Sequence, residues 1–359
     1  MVTVPECGQP IAGSRHPKTP ANGNRNWALA SKTCARRRAD DDEAQVTGPG
    51  VSLTRTYQAE VLVHYQTVAP PLGCRYDVDG LHLALHRSGT GGPPVVVVPG
   101  AGLVGLDFLN IHDSVAEFTT SVIYDRAGTG WSDPIQLPRT ATAVAAELHE
   151  LLQVAGIAAP FLLLGHSLGG GYARRFAQLY PDEVAGLLLI ERAHEDYLAS
   201  MPQQVRQVGE RADAAPIPEP TPEQAQALRG LFTQLLAAWP DTVRTALIDY
   251  HVAAWQVGLQ EGRNRREVMD ELRDGGTTPE VPVILLTGMG LDPGQRLFMS
   301  EELQRQQNQA KRRLYAAVAA ALPRGELRVV DDAAHSTFHL DRPDAVLAAV
   351  RDLLDRVAR

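Results

Sequence analysis

The chain has 359 residues, 44% of them apolar, which suffices for a sizeable core in one large or two ordinary domains. Its formal net charge is −8 and its basic clusters are short: Arg36–Arg38 runs into Asp40–Glu43, and Lys311–Arg313 stands alone. That balance argues against nucleic acid as a partner, and apolar runs no longer than Pro94–Val98 or Val281–Leu286 fall far short of a membrane span.

Residues 1–50 are rich in Pro, Gly, Asn, Arg and Ala and carry no periodic apolar pattern, so a disordered N-terminal tail is expected there. A translation start placed upstream of the true one would leave the same signature. Trp27–Ala30 is too short for the apolar core of a secretory signal, which points to a cytoplasmic protein. Cys7, Cys34 and Cys74 are an odd number, without metal-site or redox-motif spacing, and read as reduced or incidental thiols. From about Cys74 the pattern becomes regular. Tyr76–Val78 and Leu81–His86, split by Asp79-Gly80, read as a hairpin. Strands follow at Pro94–Val98, Ser121–Tyr124, Phe161–Leu164 and Gly186–Ile190, with helices near Leu106–Phe118, Ala141–Val154 and Leu168–Leu179 between them. The strand signal then stops until Val281. Two amphipathic stretches fill the gap, one through Leu228, Leu231, Phe232, Leu235, Leu236 and Trp239, the other through Leu247, Ile248, Val252, Trp255 and Leu259. Strand Pro282–Leu286, helix Glu301–Leu322, strand Leu327–Val330 and helix Asp344–Val357 close the chain.

Strands alternating with helices predict an α/β fold with a mostly parallel sheet covered on both faces. The expected division is a core of residues 51–192 and 281–359, with a helical lid over 193–280 inserted after the sixth core strand. The Pro-rich entry Ala215–Pro220 is a candidate hinge.

The chemistry concentrates in Gly165-His166-Ser167-Leu168-Gly169, which lies between an apolar strand and a helix. A sharp strand-turn-helix puts its apical serine in a strained backbone conformation and lifts the hydroxyl clear of the sheet, which requires small neighbours such as Gly165 and Gly169. A serine is a weak nucleophile until a base takes its proton, so a histidine and an acid are needed downstream. Both exist.

With the run Asp125-Arg126-x-Gly128-x-Gly130-x-Ser132, the order serine, acid, histidine, and the position of the lid, the chain resembles the α/β-hydrolase family from about Cys74 to its end. The resemblance implies that fold and a capped serine hydrolase of the esterase or lipase kind, with Ser167 as nucleophile and His335, after the last predicted strand, as its base. For the acid it offers Asp292, after the seventh strand, where most members carry it. The alternative is Glu191 at the end of the sixth, where related dehalogenases place theirs. Asp292 is the favoured candidate, although the usual pattern has one residue fewer after Gly288. Of the two oxyanion donors, the Leu168 N–H follows the nucleophile, and the resemblance points to Ala101 for the second, in Val98-Pro99-Gly100-Ala101-Gly102, where Pro99 replaces the family's usual histidine.

His339 lies four residues after His335, but no third ligand accompanies the pair, so no metal is expected, and no cofactor. The expected partner is a small acyl substrate: an ester, thioester or lactone, with the lid's Trp239 and Trp255 hinting at an apolar group. Two rivals come from other classes. Gly100-x-Gly102-x-x-Gly105, with Asp125 ending the next strand, fits a dinucleotide-binding fingerprint and would suit a nicotinamide-dependent oxidoreductase. A hydrolase-like ligand-binding protein would keep Ser167 without turnover.

Overall fold

Val95–Val98, Phe161–His166 and Val283–Gly288 are buried at every position, as strands covered on both faces must be. In the computed structural model, which describes residues 69–217 and 219–358, they belong to an eight-stranded sheet. The strands are β1 (Cys74–Val78), β2 (Leu81–Ser88), β3 (Val95–Val98), β4 (Ser121–Tyr124), β5 (Phe161–His166), β6 (Val184–Ile190), β7 (Val283–Gly288) and β8 (Gly325–Val330), in the order β1-β2-β4-β3-β5-β6-β7-β8. The β1–β2 and β2–β4 pairs are antiparallel and all others parallel, so the carboxyl ends of β3 through β8 share one rim. The expected tail over residues 1–50 lies outside the described residues.

Alternate side chains of each central strand enter separate cores, one per face. Val96, Val98, Leu163, Leu187 and Leu285 meet helices α2 (Ala141–Val154) and α3 (Leu168–Leu179) on one side, whereas Val95, Val97, Leu162, Leu188 and Ile284 meet α1 (Leu109–Ala116) on the other. The helix expected near Leu106–Phe118 begins later. Gly105–Phe108 is a 3₁₀ turn, because the Asp107 carboxylate accepts a bond from Val104 N at 2.8 Å and closes a tight turn before α1.

The segment between β6 and β7 is helical, as its amphipathic stretches predict. It comprises α4 (Tyr197–Ser200), α5 (Gln203–Ala214), α6 (Pro222–Leu235), α7 (Asp241–Ala253), α8 (Trp255–Gly262) and α9 (Arg265–Asp274). Thr221 starts α6 through a capping box with Gln224. The insert is unevenly rooted. Trp239, Leu247, Ile248 and Val257 join the core over α1, while Val268, Met269 and Leu272 join the opposite one. By contrast α6 buries no residue, α5 buries Val205 alone, and Leu231 of the predicted stripe is 45% exposed.

Helices α10 (Glu301–Ala321), α11 (Phe338–Asp341) and α12 (Pro343–Val357) complete the described chain. Ser300 caps α10 by accepting from Leu303 N. Cys74, read from the sequence as an incidental thiol, is disulfide-bonded. Among the described residues no helix is long and apolar enough to cross a membrane.

Candidate active site

Ser167 stands between β5 and α3 with φ 52° and ψ −120°, a left-handed conformation rarely held by a non-glycine residue. The turn exists because its neighbours lack side chains. A Cβ on Gly165 would lie 2.6 Å from Gly170 Cα, and one on Gly169 would lie 2.1 Å from Val98 O and 2.4 Å from Pro99 O. Bonds from Ser167 N to Ile190 O and from Ala193 N to Ser167 O, both 2.9 Å, tie the turn to the end of β6.

His335 follows β8 on the same rim, with its Nε2 3.1 Å from Ser167 Oγ and its Nδ1 2.9 Å from Glu191 Oε2. A carboxylate can only accept from Nδ1, so Nδ1 carries the ring proton and Nε2 is free to accept from the serine. Glu191 sits just past β6 with φ 50° and is fully buried. Its Oε1 accepts from Thr287 Oγ1 at 3.0 Å and Gly288 N at 2.5 Å, and its Oε2 also accepts from Lys311 Nζ at 2.7 Å. Burial favours the neutral acid, but the Lys311 ammonium and the bond from His335 outweigh it and hold the carboxyl well below the usual range.

Asp292, the favoured acid from sequence, is not on the imidazole. Its Oδ2 accepts from Ser336 N at 2.8 Å, and its Oδ1 accepts from Gly294 N at 2.8 Å and Gln295 N at 3.2 Å. The extra residue after Gly288 carries Asp292 past the ring and onto the backbone that follows it. Asp292 thus braces the histidine loop, and Glu191 faces the histidine.

That loop has a second brace. His166 Nε2 donates to His335 O at 2.9 Å, and burial, then the neighbouring His335 and His339, lowers the His166 pKa to about 3. His339 is buried against Phe108, with ring centroids 4.3 Å apart.

Leu168 opens α3, and half-buried Ala101 lies in the turn after β3. Behind that turn Arg126 donates to Pro99 O at 2.7 Å and to Gly100 O at 2.9 Å. The dinucleotide reading fails here. Asp125 is buried, accepting from Gly105 N at 2.8 Å and Trp131 N at 2.9 Å, so its carboxylate cannot reach a ribose. A Cβ on Gly102 would lie 2.8 Å from Gly258 Cα in α8, so the insert already occupies the space beside the glycines that a pyrophosphate would need.

Residues 95–349 match the model of the alpha/beta hydrolase family. The chain belongs to the alpha/beta hydrolase family. Among solved structures the hydrolase is similar to a thermophilic esterase from Thermogutta terrifontis, 23% identical with a TM-score of 0.52, over 79% of this chain and 98% of that one. It is also similar to the epoxide hydrolase CorEH, 15% identical with a TM-score of 0.53, over 79% and 98% of the two chains. Such identities speak for the fold alone. Protein Rv2715 of Mycobacterium tuberculosis is 32% identical over 123 residues, 34% of this chain and 36% of that protein. YbdG of Bacillus subtilis is 26% identical over 121 residues, 33% and 37% of the two. The hydrolase thus matches little more than a third of the length of these curated relatives.

Sequence reasoning missed Lys311, His166 and Glu261. Arg126 was visible only as part of a motif. Lys311 and Glu261 sit on helices among many charged residues, and no local spacing separates them from solvated ones.

Proposed function

We propose that this hydrolase is a serine esterase in the broad sense, cleaving an ester, thioester or lactone of a small, partly apolar acyl substrate through an acyl-enzyme. The observation that carries the reading is the continuous chain of hydrogen bonds from Ser167 Oγ through His335 to Glu191, at 3.1 and 2.9 Å, on a strained turn. Ser167 Oγ attacks the acyl carbon while His335 Nε2 takes its proton. Glu191 accepts the Nδ1–H and stabilises the imidazolium. The N–H groups of Leu168 and Ala101 receive the tetrahedral oxyanion, each such donor being worth about a hundred- to a thousand-fold in rate. His335 returns the proton to the leaving group, and water repeats the sequence on the acyl-serine.

A serine does not suit epoxide opening or dehalogenation, where an aspartate forms an alkyl ester that water can cleave; Ser167 would give a stable ether. The likeness to solved structures supports the fold, and the acyl chemistry rests on Ser167, His335 and Glu191.

Labelling with a fluorophosphonate, followed by a panel of p-nitrophenyl esters of increasing chain length, tests the reading. The wild type should label and turn over, and Ser167→Ala should do neither, with turnover lowered by about a million-fold. Equal labelling of the two would remove Ser167 from the mechanism. Labelling without turnover of any ester would favour a ligand-binding protein.

A further inference from the structure

Arg126 and Glu261 form a buried ion pair, 1% and 3% exposed, that meets the turn after β3 from behind. Arg126 Nε and Nη2 donate to Glu261 Oε1 and Oε2, both at 3.0 Å. The remaining reach of the guanidinium goes to two carbonyls of the turn, Pro99 O and Gly100 O. Glu261 Oε2 in turn accepts from Gly102 N at 2.7 Å. Three residues of the turn, Pro99, Gly100 and Gly102, are therefore held by one ion pair, half of it supplied by α8 of the insert, where Gly258 packs against Gly102.

The bond to Gly100 O has a geometric consequence. Gly100 C=O and Ala101 N–H belong to one peptide unit, which is trans. In a trans peptide the carbonyl and the N–H point in opposite directions. A cation fixing the carbonyl on one side therefore fixes the N–H on the other. We infer that Arg126, clamped by Glu261, is a positioning residue that holds the Gly100–Ala101 peptide in a single orientation and so aims the Ala101 N–H as an oxyanion donor. Pro99 stands where the family's histidine would support the loop, and the Arg126–Glu261 pair supplies that support from the insert.

This rests on the esterase reading, and its test is built to fail separately. Arg126→Lys keeps the charge but lacks the fork needed to reach two carbonyls and a carboxylate together, and it avoids stranding Glu261 as an unpaired buried charge. Glu261→Gln keeps an acceptor for Gly102 N. Both variants of the full chain, with wild type, would be assayed on a p-nitrophenyl ester, with active sites counted by fluorophosphonate end-point labelling. Affinity for a trifluoromethyl ketone, which mimics the tetrahedral state, would be measured in parallel.

Arg126→Lys should lower kcat by about a hundred-fold per labelled site with KM within about three-fold, the signature of a donor used only in the transition state. Ketone affinity should fall by the same factor, and adding Glu261→Gln should cost little more. Wild-type kcat and ketone affinity in labelled Arg126→Lys would overturn the inference, as would a loss confined to KM or to the count of active sites. If the wild type labels but never turns over, the esterase reading falls instead; ketone affinity unchanged in Arg126→Lys would still reject the clamp.

Discussion

Two carboxylates at neighbouring strand ends divide the work at the histidine. Glu191 faces the ring, and Asp292 holds the Ser336 N–H just after it. Glu191→Gln should favour the wrong imidazole tautomer, lowering kcat by about ten-thousand-fold, and should also lower stability because it leaves the buried Lys311 ammonium without its carboxylate. Asp292→Asn should cost about 1–3 kcal/mol of stability with a far smaller loss in kcat. Paired kinetics and urea melts on the two variants check both, and the reverse pattern in kcat would return the acid to Asp292. Lys311 balances Glu191 in a dry site, so Lys311→Met should cost about 3–5 kcal/mol in the same melts, because it strands the carboxylate. At this scale the sequence was half legible. The strain-tolerant glycines flag Ser167, and order along the chain flags His335. Which of two acids turns toward the ring depends on backbone direction past a strand end, as in the φ of 50° at Glu191, and no local pattern encodes it.

Elements were more legible than residues, because a buried parallel strand writes itself as an unbroken apolar run. Val95–Val98 and Val283–Gly288 needed no context to be recognised. The depth of the insert was not readable, since an amphipathic stripe has the same period whether it meets a core or lies half open. Deleting residues 193–280 would therefore remove Trp239, Leu247 and Leu272 from the two cores and should abolish soluble protein rather than merely change substrate preference. The elbow permits a sharper test. Alanine is favoured over glycine in a helix by about 1 kcal/mol, yet Gly169→Ala at the start of α3 would drive a Cβ into the Val98 and Pro99 carbonyls. Those atoms are backbone and cannot rotate aside, so the variant should melt below wild type and label slowly with a phosphonate.

For the molecule as a whole, buried imidazoles set the acid limit. Burial lowers His112 and His166 to about 3 and His194 and His339 to about 4, with neighbouring cations or histidines adding to the first three. In the unfolded chain each would titrate near 6.5, so below that pH the unfolded state binds more protons and stability falls with pH. Each histidine contributes up to about 1.4 kcal/mol per pH unit until its folded pKa is passed. Glu191 adds to the loss below about 4.5. Asp125, raised by burial to about 6, runs the other way between its unfolded value and that pH and offsets roughly one histidine. Tm should be flat above pH 6.5 and fall steadily toward pH 4.5, and His112→Gln should flatten that slope by one histidine's share. A Tm constant across this range would refute the account.

The uneven rooting of the insert has a kinetic counterpart. Segments open locally with a free energy set by the contacts they break, and Pro222–Leu235 buries no residue fully and gives up chiefly Phe232, stacked on His251, and the Arg229–Asp249 pair, whereas Asp241–Asp274 must pull apolar side chains out of both cores and separate Glu261 from Arg126. Backbone amides of the first stretch should exchange with deuterium in seconds to minutes, and those of the second only on global unfolding. The outer helix could then fray on its own while the layer that carries Gly258 and Glu261 stays packed on the turn after β3, so the turn would keep its support through every local opening short of global unfolding.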